Sequence, residues 1–149
     1  MPTPVDEIGF DGLIIAIGDA ADPEVFTARC SMNNSRSFNR SGETKTRVIP
    51  DCDSDATPGF VNTYVTSLSA EVSGSGVMER ADGAFFSAWW ATGESKNIEV
   101  IVGDVSNGGE KHSFAARLTS FNISAERNDV INAEITLASH GPVTTAALA

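Results

Sequence analysis

The sequence predicts a mostly β domain that carries a single α-helix. Three observations lead there: apolar and polar residues alternate with a period of two in one segment after another, turn residues separate those segments, and just one stretch changes to helical spacing. A chain of 149 residues fits one domain, and a domain of that size buries roughly 68–70% of its unfolded surface without needing cross-links.

The strands follow in order. Gly12 to Gly18 is an almost continuous apolar run, with Leu13, Ile14, Ile15 and Ile17 between glycines. Glu24 to Ser31 alternates, placing Phe26, Ala28 and Cys30 on one face. Ser35 to Arg40 is polar except for Phe38, the pattern of an edge or solvent-facing strand. Thr44 to Pro50 sets Thr46 and Val48 against Lys45 and Arg47, and Thr66 to Gly74 sets Leu68, Ala70 and Val72 against Ser69, Glu71 and Ser73. Gly74-Ser75-Gly76 then reads as a bend leaving that strand. Lys96 to Gly103 groups Ile98, Val100 and Val102, and Asn107-Gly108-Gly109 supplies a hairpin turn to the next strand. Within Lys111 to Ser124 the apolar phase slips from Phe114, Ala116 and Leu118 to Phe121 and Ile123, which requires a β-bulge near Thr119–Ser120. Asp129 to Ala138 points Ile131, Ala133, Ile135 and Leu137 inward and Asn132, Glu134 and Thr136 outward. About eight strands result.

The helix is expected over residues 81–92. Phe85–Trp89 and Phe86–Trp90 are i, i+4 pairs, Asp82 is a candidate cap at the start, and Gly93 can end the helix. All the neighbouring aromatics fit one packing face, which favours a helix laid on or between sheets over a Trp89–Trp90 ligand platform. Residues 51–64, with Pro58, Gly59 and three aspartates, show no periodicity and read as a long loop.

Composition excludes several function classes. Twenty acidic residues against ten basic ones give a net charge of −10, which repels nucleic-acid phosphates and disfavours a DNA-grasping module. No run of about 18 apolar residues exists to span a membrane as a helix. The start Met-Pro-Thr-Pro-Val-Asp-Glu lacks the basic and apolar regions of a signal peptide, so the expectation is a protein that stays in the cytosol, with Cys30 and Cys52 as free thiols.

Catalytic patterns fail one by one. Asp51-Cys52-Asp53-Ser54-Asp55 begins like an EF-hand loop, but Ala56 stands where the turn glycine belongs and Asn62 where the bidentate glutamate belongs. His112 and His140 are too few for a typical zinc site and read as solvated surface residues. Neither a nucleophile elbow, nor a P-loop, nor an H-E-x-x-H motif is present. The expectation is a structural or binding protein with no cofactor and no metal.

Four segments in order carry a resemblance: Lys45-Thr46-Arg47-Val48-Ile49-Pro50-Asp51-Cys52-Asp53, Val72-Ser73-Gly74-Ser75-Gly76-Val77, the helix with Trp89-Trp90, and Ala133-Glu134-Ile135-Thr136-Leu137-Ala138-Ser139-His140-Gly141-Pro142-Val143. Through nearly its whole length the chain resembles the tail tube (major tail) proteins of long-tailed phages, especially the TP901-1-like family and the tails of gene transfer agents. The resemblance implies a β-sandwich or barrel-like tail tube fold with one flanking helix, forming a single domain over residues 1–149. It implies a flexible N-terminal arm (1–10), the long loop (51–64) and a C-terminal arm (142–149). It further implies hexameric rings stacked into a hollow tube that delivers DNA, located in a virion tail or transfer particle made in the bacterial cytoplasm. The implied partners are other copies of the chain and the tail tape measure, tail terminator and distal tail proteins, with DNA passing through the lumen unbound and no membrane involved. Under this reading Lys45, Arg47, Ile49, Asp51, Asp53 and Asp55 are candidates for contacts between subunits or rings, and Glu71 and Glu134 for the lumen. Six copies at −10 would give each ring −60. The alternatives are a type VI secretion-like tube protein, a head–tail joining or tail terminator protein, and a monomeric ligand-binding sandwich.

Overall fold

In the computed structural model, residues 8–19, 23–28, 31–50, 58–104 and 108–148 are described. A 3-10 turn, Phe10–Gly12, leads into β1 (Leu13–Gly18), β2 (Phe26–Ala28), β3 (Ser35–Ile49) and β4 (Phe60–Val77). Helix α1 (Arg80–Thr92) follows, and then β5 (Ser95–Val102), β6 (Glu110–Ala125) and β7 (Ile131–Ala147). The strands form one antiparallel sheet in the order β2-β1-β5-β6-β7-β4-β3.

That sheet folds back over itself. Phe38 on β3 lies 5.9 Å from the ring of Phe114 and 5.1 Å from that of His112, both on β6. Two strands separate β3 from β6, so in a flat sheet they would stand about 14 Å apart. The guanidinium of Arg36, also on β3, donates from Nη1 to the Leu13 carbonyl on β1 at 2.7 Å and from Nε to the Met32 carbonyl at 2.7 Å. It also sits 4.3 Å from the centre of the Phe10 ring. The result is a sandwich-like, two-layered domain, as the alternation and the resemblance imply.

The core between the layers consists of Ile15, Ile17, Met32, Val72, Ile98, Val100, Phe114, Ala116, Leu118, Ile135 and Leu137, with Phe86 and Trp89 from the helix. Phe86 meets Phe121 of β6 at 5.5 Å. Phe121 faces the helix because a register shift between Leu118 and Ser120 turns the strand, as the phase slip in the sequence requires. The Thr119 hydroxyl donates to the Thr136 carbonyl across that bulge at 3.1 Å.

Several expectations need correction. The two polar stretches 35–40 and 44–50 form one 15-residue strand, β3. Residues Phe60–Tyr64 belong to β4 and pair with Ile49–Lys45 instead of lying in a loop, and residues 142–147 belong to β7 and lie beside β6 instead of forming an arm. The strand starts directly behind Pro58-Gly59, and β7 runs on through Gly141-Pro142 despite their turn signal. Gly74 and Gly76 lie inside β4, where a Cβ would come within 2.6 Å of the Met32 side chain and 2.2 Å of the Asn33 amide oxygen. The space they leave lets the Asn33 amide bond both the N–H and the C=O of Val77.

His112 is 1% exposed, not solvated. Its Nδ1 lies 2.9 Å from the Thr145 hydroxyl and its Nε2 3.4 Å from Glu110 Oε2. In the helix, Phe85 pairs with Trp89 as expected, but Phe86 also faces Trp89, leaving Trp90 on the surface. Gly93, at φ 67°, ends the helix and donates to the Trp89 carbonyl. Asp82 is not the cap; Glu79 occupies that position. Asp82 is buried one turn in, and its Oδ2 accepts both the amide and the hydroxyl of Ser31 at 3.1 Å. The Ser31 oxygen in turn accepts the Glu79 amide at 3.0 Å, so a distant loop does the capping.

Asp82→Ala is expected to cost about 2–3 kcal/mol, because it strands two buried donors of Ser31, and Phe86→Ala about 3–5 kcal/mol. Urea unfolding of each variant at constant slope measures both values.

A candidate assembly surface

The outer half of the β3–β4 hairpin is not covered by the other described residues. Every residue of Ser41–Ile49 and of Phe60–Ser69 is exposed. The departure of β7 explains why. Pairing between β4 and β7 ends at Glu71–Ala138, and the next β4 amide, Ala70, donates to the Ser139 hydroxyl at 2.9 Å. Gly141, at φ 96°, and Pro142 then follow, and the remainder of β7 stays with β6. From Phe60 to Ser69, β4 is paired with β3 on one edge only.

The two faces of this arm differ in chemistry. One continues the core side of the sheet. On β3 the row Phe38, Arg40, Gly42 runs on into Thr44, Thr46 and Val48, and on β4 the row Val72, Ala70, Leu68 continues as Val65, Thr63 and Val61. The step from Leu68 to Val65 contains one extra residue, Thr66, at a bulge opposite Glu43 and Thr44, and its hydroxyl donates to the Glu43 carbonyl at 3.1 Å. This face carries valine, leucine and threonine and has nothing beneath it among the described residues: Leu68 is 82% exposed, although it alternates in phase with the buried Ala70 and Val72.

The opposite face is polar. Ser35–Ser75, Ser37–Ser73 and Ser41–Ser69 form hydroxyl pairs across β3 and β4. Glu71 lies between Asn39 and Ala138, and Glu134 of β7 lies between Ser75 and Asn122; both carboxylates are exposed. Lys45, Arg47 and Ile49 occupy this same face of β3 farther along the arm, opposite Tyr64, Asn62 and Phe60. Five of the residues singled out by sequence therefore share one face of one sheet. Asp51, Asp53 and Asp55 lie outside the described residues. Sequence reasoning missed the apolar underside of the arm; its signal was the run Phe60-Val61-Asn62-Thr63-Tyr64-Val65.

Among the described residues no group of three or more metal-ligating side chains comes together. The described residues form a two-layered β-fold with a projecting hairpin whose apolar side they leave uncovered. The model of the phage tail tube protein family matches residues 9–145, and the chain belongs to that family. The family is structural, so the chain is not an enzyme. No curated protein sequence matches it. Among solved structures, it resembles the tail of an empty GTA particle refined with C6 symmetry (TM-score 0.75, 20% identity, 94% of this chain and 99% of that one). It also resembles a chain in the virion of a native gene transfer agent particle (0.72, 17%, 94% and 99%). A chain in the sheath–tube complex of an extracellular contractile injection system, in its extended state, shares the fold at 0.63 and 18% identity, over 96% and 93%.

Because Phe60 is 85% exposed, Phe60→Ser is expected to leave monomer stability within about 0.5 kcal/mol of the parent, in contrast to Phe86→Ala. Thermal unfolding of the two variants side by side provides the comparison.

Proposed function

We propose that six copies of this chain close into a ring and that the rings stack into the hollow tube of a phage or gene-transfer-agent tail, through which DNA is delivered. The observation that carries this reading is the projecting β3–β4 arm, whose apolar face no other described residue of the chain covers. An uncovered strand edge and face of that length invites pairing, and a closed ring is a way of using it without runaway aggregation. The C6 symmetry of the empty GTA tail supplies the copy number.

In this reading the arm residues Lys45, Arg47 and Ile49, with Asp51, Asp53 and Asp55 beyond them, contact neighbouring subunits or rings. Glu71, Glu134 and the serine pairs line the channel. This stretch of wall sets the Glu71 and Glu134 carboxylates among hydroxyls, with Arg117 in the same row as Glu71, and a lumen of net negative charge repels phosphates and lets the strand slide. The tube would end on tape measure, terminator and distal tail proteins.

Electron microscopy of the purified chain tests the assembly directly: rings or long tubes are expected, and a persistent monomer under all conditions of salt and concentration would refute it. Lys45→Glu with Arg47→Glu is expected to reduce tube yield about tenfold or more, the effect of setting like charges against each other at a contact, while circular dichroism stays that of the parent. Undiminished tubes would remove these two residues from the interface.

A further inference from the structure

The parting of β4 from β7 leaves a hollow of about 380 Å³ between the two strands. Leu68 and Ala70 of β4 line one side of it, and Pro142 and Val143 of β7 line the other. Thr145 also lines it, and the hydroxyl of that residue lies 2.9 Å from Nδ1 of the buried His112. The described residues do not close this gap. The β4–β7 ladder stops at Glu71–Ala138, Gly141 then takes φ 96°, and Pro142 has no N–H with which to resume the pairing.

Charge separates this hollow from the others. The one beside Gly12 is lined by Asp11 and Asp104, and the one between α1 and the β6–β7 turn by both Arg80 and Asp129. Here the only charged residue of the lining is Arg40, a cation in a chain of net charge −10. Its guanidinium carbon lies 5.2 Å from the centre of the Phe38 ring, and Phe38 is held in turn against Phe114 and His112. A guanidinium set over a ring keeps its five N–H donors in its own plane, open to an anion. Among the described residues no carboxylate pairs with Arg40 and no acceptor takes a hydrogen bond from it. The side chain is exposed, so an anion reaches it without a change of fold.

We infer that the hollow between β4 and β7 is a binding site for a small amphipathic monoanion, a medium-chain carboxylate, with its head on Arg40 and its hydrocarbon between Leu68 and Val143. The volume falls within the roughly 300–1,000 Å³ of small-molecule sites. Apolar walls and one oriented cation select a ligand with one anionic end and an apolar remainder. A cationic ligand meets the charge of Arg40. A sugar would press its hydroxyls against Leu68, Ala70, Pro142 and Val143, where they find no partners. A carboxylate instead takes two N–H groups of the guanidinium at once, the pairing for which arginine is shaped. The site belongs to the single chain and does not depend on the tube reading.

Equilibrium dialysis of the full-length chain against radiolabelled octanoate tests this at neutral pH, where the carboxylate is ionised. Saturable uptake of one octanoate per chain is expected. Arg40→Gln should weaken it about tenfold through loss of the charged pair, and Leu68→Ser should weaken it through loss of apolar contact. Both side chains are exposed, so circular dichroism should stay that of the parent. Octanol, equal in length but uncharged, should compete about tenfold less well than unlabelled octanoate. Phe60→Ser, at the far end of the arm, should leave uptake unchanged. No saturable uptake, equal competition by octanol, or full affinity in Arg40→Gln overturns the site and leaves the hollow to a protein partner. Uptake that falls in Phe60→Ser and not in Leu68→Ser places octanoate on the arm and overturns it as well.

Discussion

Ala70 is the first residue of β4, counting back toward the arm, whose amide turns from the main chain of β7 to a side chain, the Ser139 hydroxyl. Much of the molecule depends on that parting of two strands. On one side of it β4 is covered, Val72 is fully buried, and the sheet can fold so that Phe38 reaches Phe114. On the other side the same alternation of side chains continues without a second layer below it. The glycine and proline that follow Ser139 let β7 bend away and keep its pairing with β6, at the cost of a local register shift opposite Ser113 and Ala115. Under the proposed assembly, stability and association fall to successive lengths of one hairpin: burial holds the inner half, and the outer half keeps its apolar surface exposed.

The parts of this design that were legible in the sequence are those set by local periodicity. The clean alternation of residues 131–138, the phase slip at Thr119 and the aromatic helix closed by Gly93 are dictated by neighbours within a few residues, and the structure has them where the pattern puts them. What the sequence concealed depends on contacts distant along the chain. Asp82 has the composition of a cap, but Ser31, 51 positions away, claims it. His112 looks like a surface residue until Phe38 and Thr145 enclose it from other strands. The glycines at 74 and 76 have the form of a turn, yet they are small because Met32 and Asn33 press against them. Pro58-Gly59 marks a real interruption, but it hides the strand that begins at Phe60 directly behind it.

Charge sets a condition on any assembly of this chain. Each copy carries −10, so association gathers like charge, and long-range repulsion must be offset by short-range contact. Salt screens the first over about 8 Å at physiological ionic strength and leaves apolar burial almost untouched. A contact made by valine, leucine and phenylalanine therefore suits an acidic subunit better than one made by ion pairs alone. Lys45 and Arg47 would then favour one register of approach while the apolar face supplies the free energy.

The bulges at Thr66 and Thr119 show how a period of two is made to serve this arrangement. Without Thr66, Val65, Thr63 and Val61 would fall on the face that carries Glu71 and Glu134, because a slip of one residue exchanges the faces of a strand. The insertion restores them to the core side, so the apolar underside of the arm runs without a break from the buried core, and the serine and carboxylate face stays free of valine. Thr119 does the same on β6, and in each case the threonine hydroxyl bonds a carbonyl across the interruption. A sheet with one apolar and one polar face can line a channel with the second while it binds neighbours with the first, provided no strand changes phase along its length. Over strands of 15, 18 and 16 residues, twist and pleat leave that requirement to be met by insertion, and at these two points the inserted residue is a threonine.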